Sequence, residues 1–214
     1  KIKYTNIKIL CFSNKVKLHA DKLGCQNIGL KYFIKPKEMV FKTPQKTLNI
    51  FFWYRNDLKL RDWIGLFDLN KINKIIYFDS PDPGRKSEEF DKITLDKYKI
   101  ELIKISFLPH AEYIEYVKNC DVFISPRKQE GIGMSFLEAI SMGKYIVSND
   151  DSTMNEYVTD KNIGFLINKK KEKSIDYNDI INGVNYRTQF AKNGYLQWLK
   201  QKNEIINFFL DNLN

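Results

Sequence analysis

The chain has 214 residues, enough for one large domain or one and a half ordinary ones. A hydrophobic fraction of 43% with 15 Phe can fill a packed core, and a charged fraction of 29% fits a folded chain, which argues against disorder. The net charge of +9 comes from lysines spread along the whole sequence without a recognition motif, so nucleic acid is not the expected partner, while an anionic small ligand or an anionic membrane surface stays open.

No apolar run approaches the ~18 residues of a membrane-spanning helix. The opening segment KIKYTNIKIL has no apolar signal-peptide region, and it has no initiator Met, so the chain reads as a piece of a longer protein. Cys11, Cys25 and Cys120 are odd in number, far apart and without CxxC spacing, which argues against a disulfide framework and against a zinc site. Reduced, mostly buried thiols point to the cytosol. His19 and His110 complete no metal set with them, so no metal is expected.

The elements alternate. A buried strand is predicted over 6–13, a helix over 14–23 and a strand over 27–34. A polar stretch with Pro36 and Pro44 among lysines then marks a linker. The pattern restarts with an aromatic, β-branched strand over 47–54 and an apolar-periodic helix over 57–70. Next come a strand over 74–78, a turn from Ser80 to Gly84, a strand over 99–105, a helix over 111–119 and a strand over 121–125. A helix over 135–142, strands over 145–148 and 164–167, and a long helix over 185–213 close the chain. Such alternation predicts an α/β fold: a Rossmann-like parallel sheet with helices on both faces, preceded by a separate β-α-β unit. Ligands of such sheets bind at the carboxyl ends of the strands, in the loops after Tyr54, Phe78, Ile105, Ser125 and Ser148.

The loop from Ser125 to Ala139 holds the richest chemistry. Gly131 and Gly133 precede a helix and would let backbone approach a ligand or take conformations that other residues avoid. The N–H groups of the helix start, with the helix dipole, suit a diphosphate. Glu130, just past a strand end, could accept hydrogen bonds from two sugar hydroxyls at once, or be a solvated surface carboxylate. Glu138 has two readings. It could bind ribose hydroxyls one turn into the helix, or close a capping box with Ser135.

The string SPRKQEGIGMSFLEAISMGKYIVSNDDSTMNEYVTDKNIGFLI resembles the signature region of group 1 glycosyltransferases, with Glu130 and Glu138 separated by seven residues. Upstream, FFWYRNDLKLRDW resembles that family's first donor-domain strand. Arg55 falls on the family arginine, Tyr54 stands where a glycine is usual, and the second basic residue is either Lys59 or Arg61. Ile132 and Tyr145 also depart from the usual aromatic and proline.

The resemblance implies the donor-binding domain of a retaining enzyme with two Rossmann domains (the GT-B type), working as a hexosyltransferase in polysaccharide biosynthesis. It implies that Glu130 binds the donor sugar and Glu138 the ribose. Gly131, Ile132, Gly133 and Met134 would bracket the diphosphate and sugar, with Arg55 and Lys59 or Arg61 on the diphosphate. Ser106, Phe107 and Leu108 would meet the nucleobase. Glu130 and Arg55 are the residues expected to carry the chemistry, without cofactor or metal, on a nucleotide diphosphate sugar, by default a UDP-sugar. The acceptor would be a cell-envelope glycan or glycolipid, and the protein would be cytoplasmic, with the inner face of the plasma membrane as a peripheral site. A non-catalytic nucleotide-sugar-binding domain and a sugar-nucleotide epimerase of the same architecture are the alternatives. A metal-dependent transferase using Asp79 and Asp82 is disfavoured, because those two are one residue too far apart for Asp-x-Asp.

The expected organisation is an acceptor-domain remainder and linker over 1–38, a nucleotide-sugar-binding domain over 39–185, and a helix over 186–214 that packs back on the N-terminal part. A chain with so little of the acceptor domain is expected to bind donor and to transfer poorly.

Overall fold

The computed structural model describes residues 7–37, 46–105, 108–151, 153–168 and 174–210. A first unit consists of β1 (Lys8–Cys11), α1 (Asn14–Leu23) and β2 (Gln26–Gly29), the two strands pairing in parallel. α1 starts where the Ser13 side chain accepts the Val16 N–H and stops at Gly24, whose φ of 75° is the left-handed conformation glycine tolerates.

The main sheet holds β3 (Leu48–Tyr54), β4 (Ile72–Asp79), β5 (Ile100–Lys104), β6 (Val122–Ile124), β7 (Tyr145–Asn149) and β8 (Gly164–Ile167). All six are parallel, in the order β5-β4-β3-β6-β7-β8. The chain builds outward from β3 through β4 to β5, then returns to lay β6 on the other side of β3. The order therefore reverses between β3 and β6, and the crevice outside their carboxyl ends is where open α/β sheets take ligands.

Side-chain alternation sorts the core into two layers. Phe51, Ile76, Phe78, Phe123 and Ile146 pack under α3 (His110–Lys118), α4 (Met134–Ser141) and α6 (Val184–Leu210). Ile50, Phe52, Tyr77, Ile124 and Val147 pack on the other face against Trp63 and Phe67, with Tyr98 of α2 (Lys92–Tyr98) and Ile180 of α5 (Tyr177–Asn182) beside them.

Three sequence expectations change. The helix predicted over 57–70 is instead three 3₁₀ turns, Leu60–Asp62, Ile64–Leu66 and Leu69–Lys71. Leu60, Trp63, Ile64 and Phe67 would share one face of an α-helix, but Leu58 is buried as well and at 100° per residue would lie on the opposite side. Aspartates reinforce the local turns: Asp62 accepts the Lys59 N–H and Asp68 the Asn70 N–H. The strand predicted over 27–34 ends at Gly29, because Tyr32 and Phe33 turn away to pack on Trp198 and Phe190 of α6. α2 and α5 were not anticipated; both are short, and Asp91 and Asp176 cap their first turns.

α6 runs 27 residues and joins the main sheet to the first unit. Near its start, buried Arg187 donates to the carbonyls of Gly143, Asn162 and Ile180. Further along, Gly194 faces the Phe33 ring, and near its end the Phe208 carbonyl accepts from the Lys8 Nζ. Leu196, Leu199, Ile206, Phe209 and Leu210 remain exposed on it. No described helix is long and apolar enough to cross a membrane.

Candidate functional site: the switch-point crevice

β3 ends at Tyr54, and Arg55 follows. Asn56 then takes a φ of 74°, a left-handed turn that asparagine tolerates better than most residues, and the chain leaves the sheet there. The Arg55 guanidinium lies 4.8 Å from the centroid of the Trp53 ring, and its Nε donates to Asp82 Oδ1 at 2.8 Å. β6 ends at Ile124, and Arg127 follows at the adjacent strand end. Its Nη2 lies 2.8 Å from Asp82 Oδ2, its Nε 3.4 Å from Glu130 Oε1 and its Nη1 3.9 Å from Asp57 Oδ2. Two arginines from the two switch-point strands thus close on one carboxylate, Asp82, presented from the turn after β4.

These charges set the titration of their partners. Burial would raise the Asp82 carboxyl, but Arg55 and Arg127 override it and hold it below the usual aspartate range. Glu130 goes the other way. Burial raises it, Arg127 and Arg55 only partly oppose the rise, and Asp57 and Asp82 add to it.

The loop carrying Glu130 is fixed from below by the segment after β7. The Thr153 Oγ1 donates toward the carbonyls of Glu130 and Gly131, at 3.0 and 2.8 Å. Gln129 donates to Asp151 at 2.7 Å, and Asn149 to the Lys128 carbonyl at 3.2 Å. Thr153 was not singled out in the sequence; its only signal is its place just past the carboxyl end of a core strand.

The expectation about glycine conformation is corrected: neither Gly131 nor Gly133 has a positive φ. What counts is space. A Cβ on Gly133 would meet the Phe136 Cβ at 3.2 Å and the Glu130 Cγ at 3.5 Å, whereas one on Gly131 would meet nothing within 4 Å. Gly133 lets the loop close onto α4, and Gly131 faces open space. Ile132 and Met134 are exposed beside it.

α4 begins at Met134 with Gly133 as N-cap, and its first i→i−4 bond runs from the Leu137 N–H to the Gly133 carbonyl. The N–H groups of Met134, Ser135 and Phe136 precede that bond and point out of the helix start. The capping-box reading of Glu138 fails, because Ser135 is already the second helical residue. Glu138 Oε1 instead lies 2.6 Å from Nε2 of His110, the first residue of α3. Sequence reasoning had set His110 aside; nothing in its spacing from Glu138, 28 residues away, marks the pair.

Lys59 and Arg61 are not drawn into this cluster. Neither makes an ion pair with another described residue, and Arg61 is exposed. Leu108 is half-buried against the α3 side of the core, while Ser106 and Phe107 lie outside the described residues. Among the described residues no three His, Cys, Asp or Glu side chains converge as a metal set. Phe12, from the loop after β1, borders a narrow cleft with Gly131, Ile132 and Thr153, so the first unit reaches the site. The Asn14 N–H adds a tie by donating to Glu156 Oε1 at 2.8 Å. A roomier groove of about 600 Å³ lies elsewhere, between α3 and β4 beside Asn49, Lys74 and Tyr116.

A six-stranded parallel sheet flanked by helices, with a glycine-bearing crevice at its switch point, defines a Rossmann-like α/β domain, and its structural neighbours are GT-B glycosyltransferases. A glycosyltransferase from Rickettsia africae aligns over 96% of this chain and 64% of its own, at a TM-score of 0.66 and 14% identity. The lipopolysaccharide outer core galactosyltransferase WaaB aligns over 94% and 61%, at 0.61 and 14%. A TarM mutant from S. aureus, solved with UDP among its ligands, aligns over 95% and 43%, at 0.58 and 14%. The model of the family "Glycosyl transferases group 1" matches residues 83–197, more than half of the chain, and the chain belongs to that family. A Campylobacter jejuni relative, N,N'-diacetylbacillosaminyl-diphospho-undecaprenol alpha-1,3-N-acetylgalactosaminyltransferase, is 29% identical over 98 residues, 45% of this chain and 26% of that protein. The chain thus spans about a quarter of that relative and 43% to 64% of these solved structures.

Proposed function

We propose that this chain supplies the nucleotide-sugar donor site of a retaining hexosyltransferase acting on a lipid-linked or cell-envelope glycan. One observation carries the reading: at the strand switch point, a half-buried glutamate, an open glycine and a helix start stand beside two arginines. In this role Glu130 accepts hydrogen bonds from donor-sugar hydroxyls and Glu138, steadied by His110, accepts them from the ribose. The N–H groups from Gly131 to Met134 and Arg55 face the diphosphate. As the bond from the sugar's anomeric carbon to the diphosphate oxygen breaks, the leaving group takes the electron pair and gains charge, which fixed N–H groups and a guanidinium stabilise without a metal. The acceptor oxygen bonds the same carbon on the same face, and its proton passes to the departing phosphate, so no protein nucleophile is required. UDP is the proposed nucleotide, with its base near the 106–108 loop.

The lipid-linked acceptor is suggested by the Campylobacter jejuni relative, whose own acceptor is a diphospho-undecaprenol-linked sugar. Residues 1–38 are assigned to the end of an acceptor domain, 39–185 to the donor domain and 186–214 to the helix that crosses back. Exposed Leu199, Ile206 and Phe209 beside exposed Lys192, Lys200 and Lys202 suit peripheral contact with an anionic membrane, and three free thiols suit a cytoplasmic setting. A sugar-nucleotide epimerase is the second reading, and it would turn over donor without any acceptor.

The test is calorimetry of this chain with UDP, GDP, ADP and their sugar conjugates in the presence of a chelator. Binding of one nucleotide diphosphate in chelator supports the site; binding that requires a divalent cation refutes the metal-free reading. Donor binding with slow transfer, rescued by an N-terminal extension carrying a full Rossmann domain, supports the division of labour. Equal transfer with and without that extension refutes it.

A further inference from the structure

The crevice holds more negative charge than a site awaiting an anion should. Two guanidiniums, Arg55 and Arg127, stand against three carboxylates, Asp57, Asp82 and Glu130. Asp82 takes the largest share. It accepts from Arg55 through both Nε and Nη2, and the Arg127 Nη2 lies within 3.0 Å of both its oxygens. Pro81 and Pro83 flank Asp82, which restricts its backbone and holds the carboxylate in place. Each guanidinium still has N–H donors to spare, since a fork of five is only partly used. Both arginines also remain about a third exposed, at 28% and 31%.

We propose that Arg127 is the second cation of the donor's diphosphate site, and that Asp82 is a resting counter-anion which the diphosphate displaces from both arginines. The inference rests on the donor-site reading above. It moves the second cation from the Lys59–Arg61 stretch to the loop after β6. The geometry favours this, because Arg55 and Arg127 leave neighbouring strands at the switch point, whereas Lys59 and Arg61 make no ion pair there. A diphosphate carries more charge and more acceptor oxygens than one carboxylate, so it competes well for the same forks. The arrangement keeps two arginines compensated and oriented before donor arrives. It also makes Asp82 a brake on donor affinity.

The test is calorimetric titration of the wild-type chain and its variants with UDP, or whichever of UDP, GDP and ADP binds best, with the matching nucleoside as control. Arg127→Ala should lower the diphosphate's affinity about tenfold or more while the nucleoside is unaffected, because charge-assisted bonds to phosphate are lost. Lys59→Ala and Arg61→Ala should change neither. Asp82→Asn, which keeps the shape and removes the charge, should raise diphosphate affinity several-fold, and much less so in an Arg127→Ala background. Inorganic pyrophosphate should compete with the nucleotide in wild type and fail to do so in Arg127→Ala. Melting curves identify any variant that has lost its fold, and Arg127→Lys then serves in place of Arg127→Ala, with a smaller loss expected. Unchanged or weaker binding by folded Asp82→Asn overturns the counter-anion role. Equal losses for nucleoside and diphosphate in Arg127→Ala overturn the second-cation role and leave the donor-site reading standing. Absence of binding by wild type to all three nucleotides overturns both.

Discussion

Gly194→Ala separates helix propensity from packing, because the two predict opposite signs. Gly194 lies inside α6, where glycine costs about 1 kcal/mol relative to alanine, so propensity alone predicts stabilisation. The structure predicts a loss. A Cβ there would sit 2.3, 2.4 and 2.5 Å from the Cε1, Cδ1 and Cζ atoms of Phe33. The ring has little room to swing away: Phe33 is 5% exposed, with Tyr157 at 5.3 Å and Phe190 at 5.6 Å between ring centroids. Three such contacts on one added methyl belong at the upper part of the ~1–3 kcal/mol range for overpacking. Subtracting the propensity gain leaves a net destabilisation of about 1–2 kcal/mol, a fall in melting temperature of roughly 2–8 °C for a chain of this size. Thermal and urea unfolding measure it. The double variant Phe33→Ala/Gly194→Ala supplies the internal check: with the ring gone, the same methyl should become neutral or stabilising. A melting temperature for Gly194→Ala equal to or above wild type would refute the packing argument.

Arg187→Met should cost about 2 kcal/mol or more, because it strands the buried carbonyls of Gly143 and Ile180 and the half-buried one of Asn162, each unmet buried acceptor costing ~1–3 kcal/mol; chemical denaturation reads it. Glu138→Gln should weaken nucleotide binding while leaving the melting point nearly unchanged, because the carboxylate caps no helix; a lowered melting point with normal affinity would contradict this. Glu130→Gln should raise the melting temperature of the ligand-free chain at pH 7 and erase its preference for nucleotide sugar over nucleotide. The sign follows from its raised pKa: an acid that is harder to ionise folded than unfolded contributes stability below the unfolded value, near 4.5, and loses it as pH rises. The melting gain should therefore vanish near pH 4, and a gain that persists there would count against burial as its source. In wild type the same raised pKa predicts that sugar selectivity falls, on acidification, at a higher pH than an ordinary glutamate would allow, which paired titrations at several pH values would record.

The parallel sheet and the Glu130–Glu138 loop were legible because their signals are local. Strands such as 47–54 carry continuous apolar runs, and the loop's glycines sit beside its carboxylates in one stretch. The misreadings have a common cause in tertiary contact. The 57–70 segment has helical periodicity only if Leu58 is allowed to face solvent, and the core takes it. The strand at 27–34 ends early because α6, about 160 residues later, offers Phe33 a better surface. The guanidinium that shares Asp82 with Arg55 comes from Arg127, 72 residues away and adjacent only after β6 lies beside β3, so no local spacing marks it. The His110–Glu138 pair was hidden for the same reason.

The seam between β3 and β6 also has a meaning for how the protein is made. Everything on one side of it, 46–104, is contiguous in the chain, and so is everything on the other, 121–168. Strand pairing within each stretch spans a shorter length of chain than pairing across the seam. Within the sheet the two meet at Ile50↔Val122, Phe51↔Phe123 and Phe52↔Ile124, and Asp121 and Arg127 add ties to Asn49 and Asp82. Arg55 belongs to the earlier-synthesised stretch, and Arg127 and Glu130 to the later one. No partially folded form in which a single stretch has assembled can therefore possess the paired-arginine crevice. The paired arginines come together only at the long-range docking step, the kind of contact that sets the pace for parallel sheets. A ligand held across that seam would act as a clasp on the newly closed sheet, favouring completed molecules over half-assembled ones.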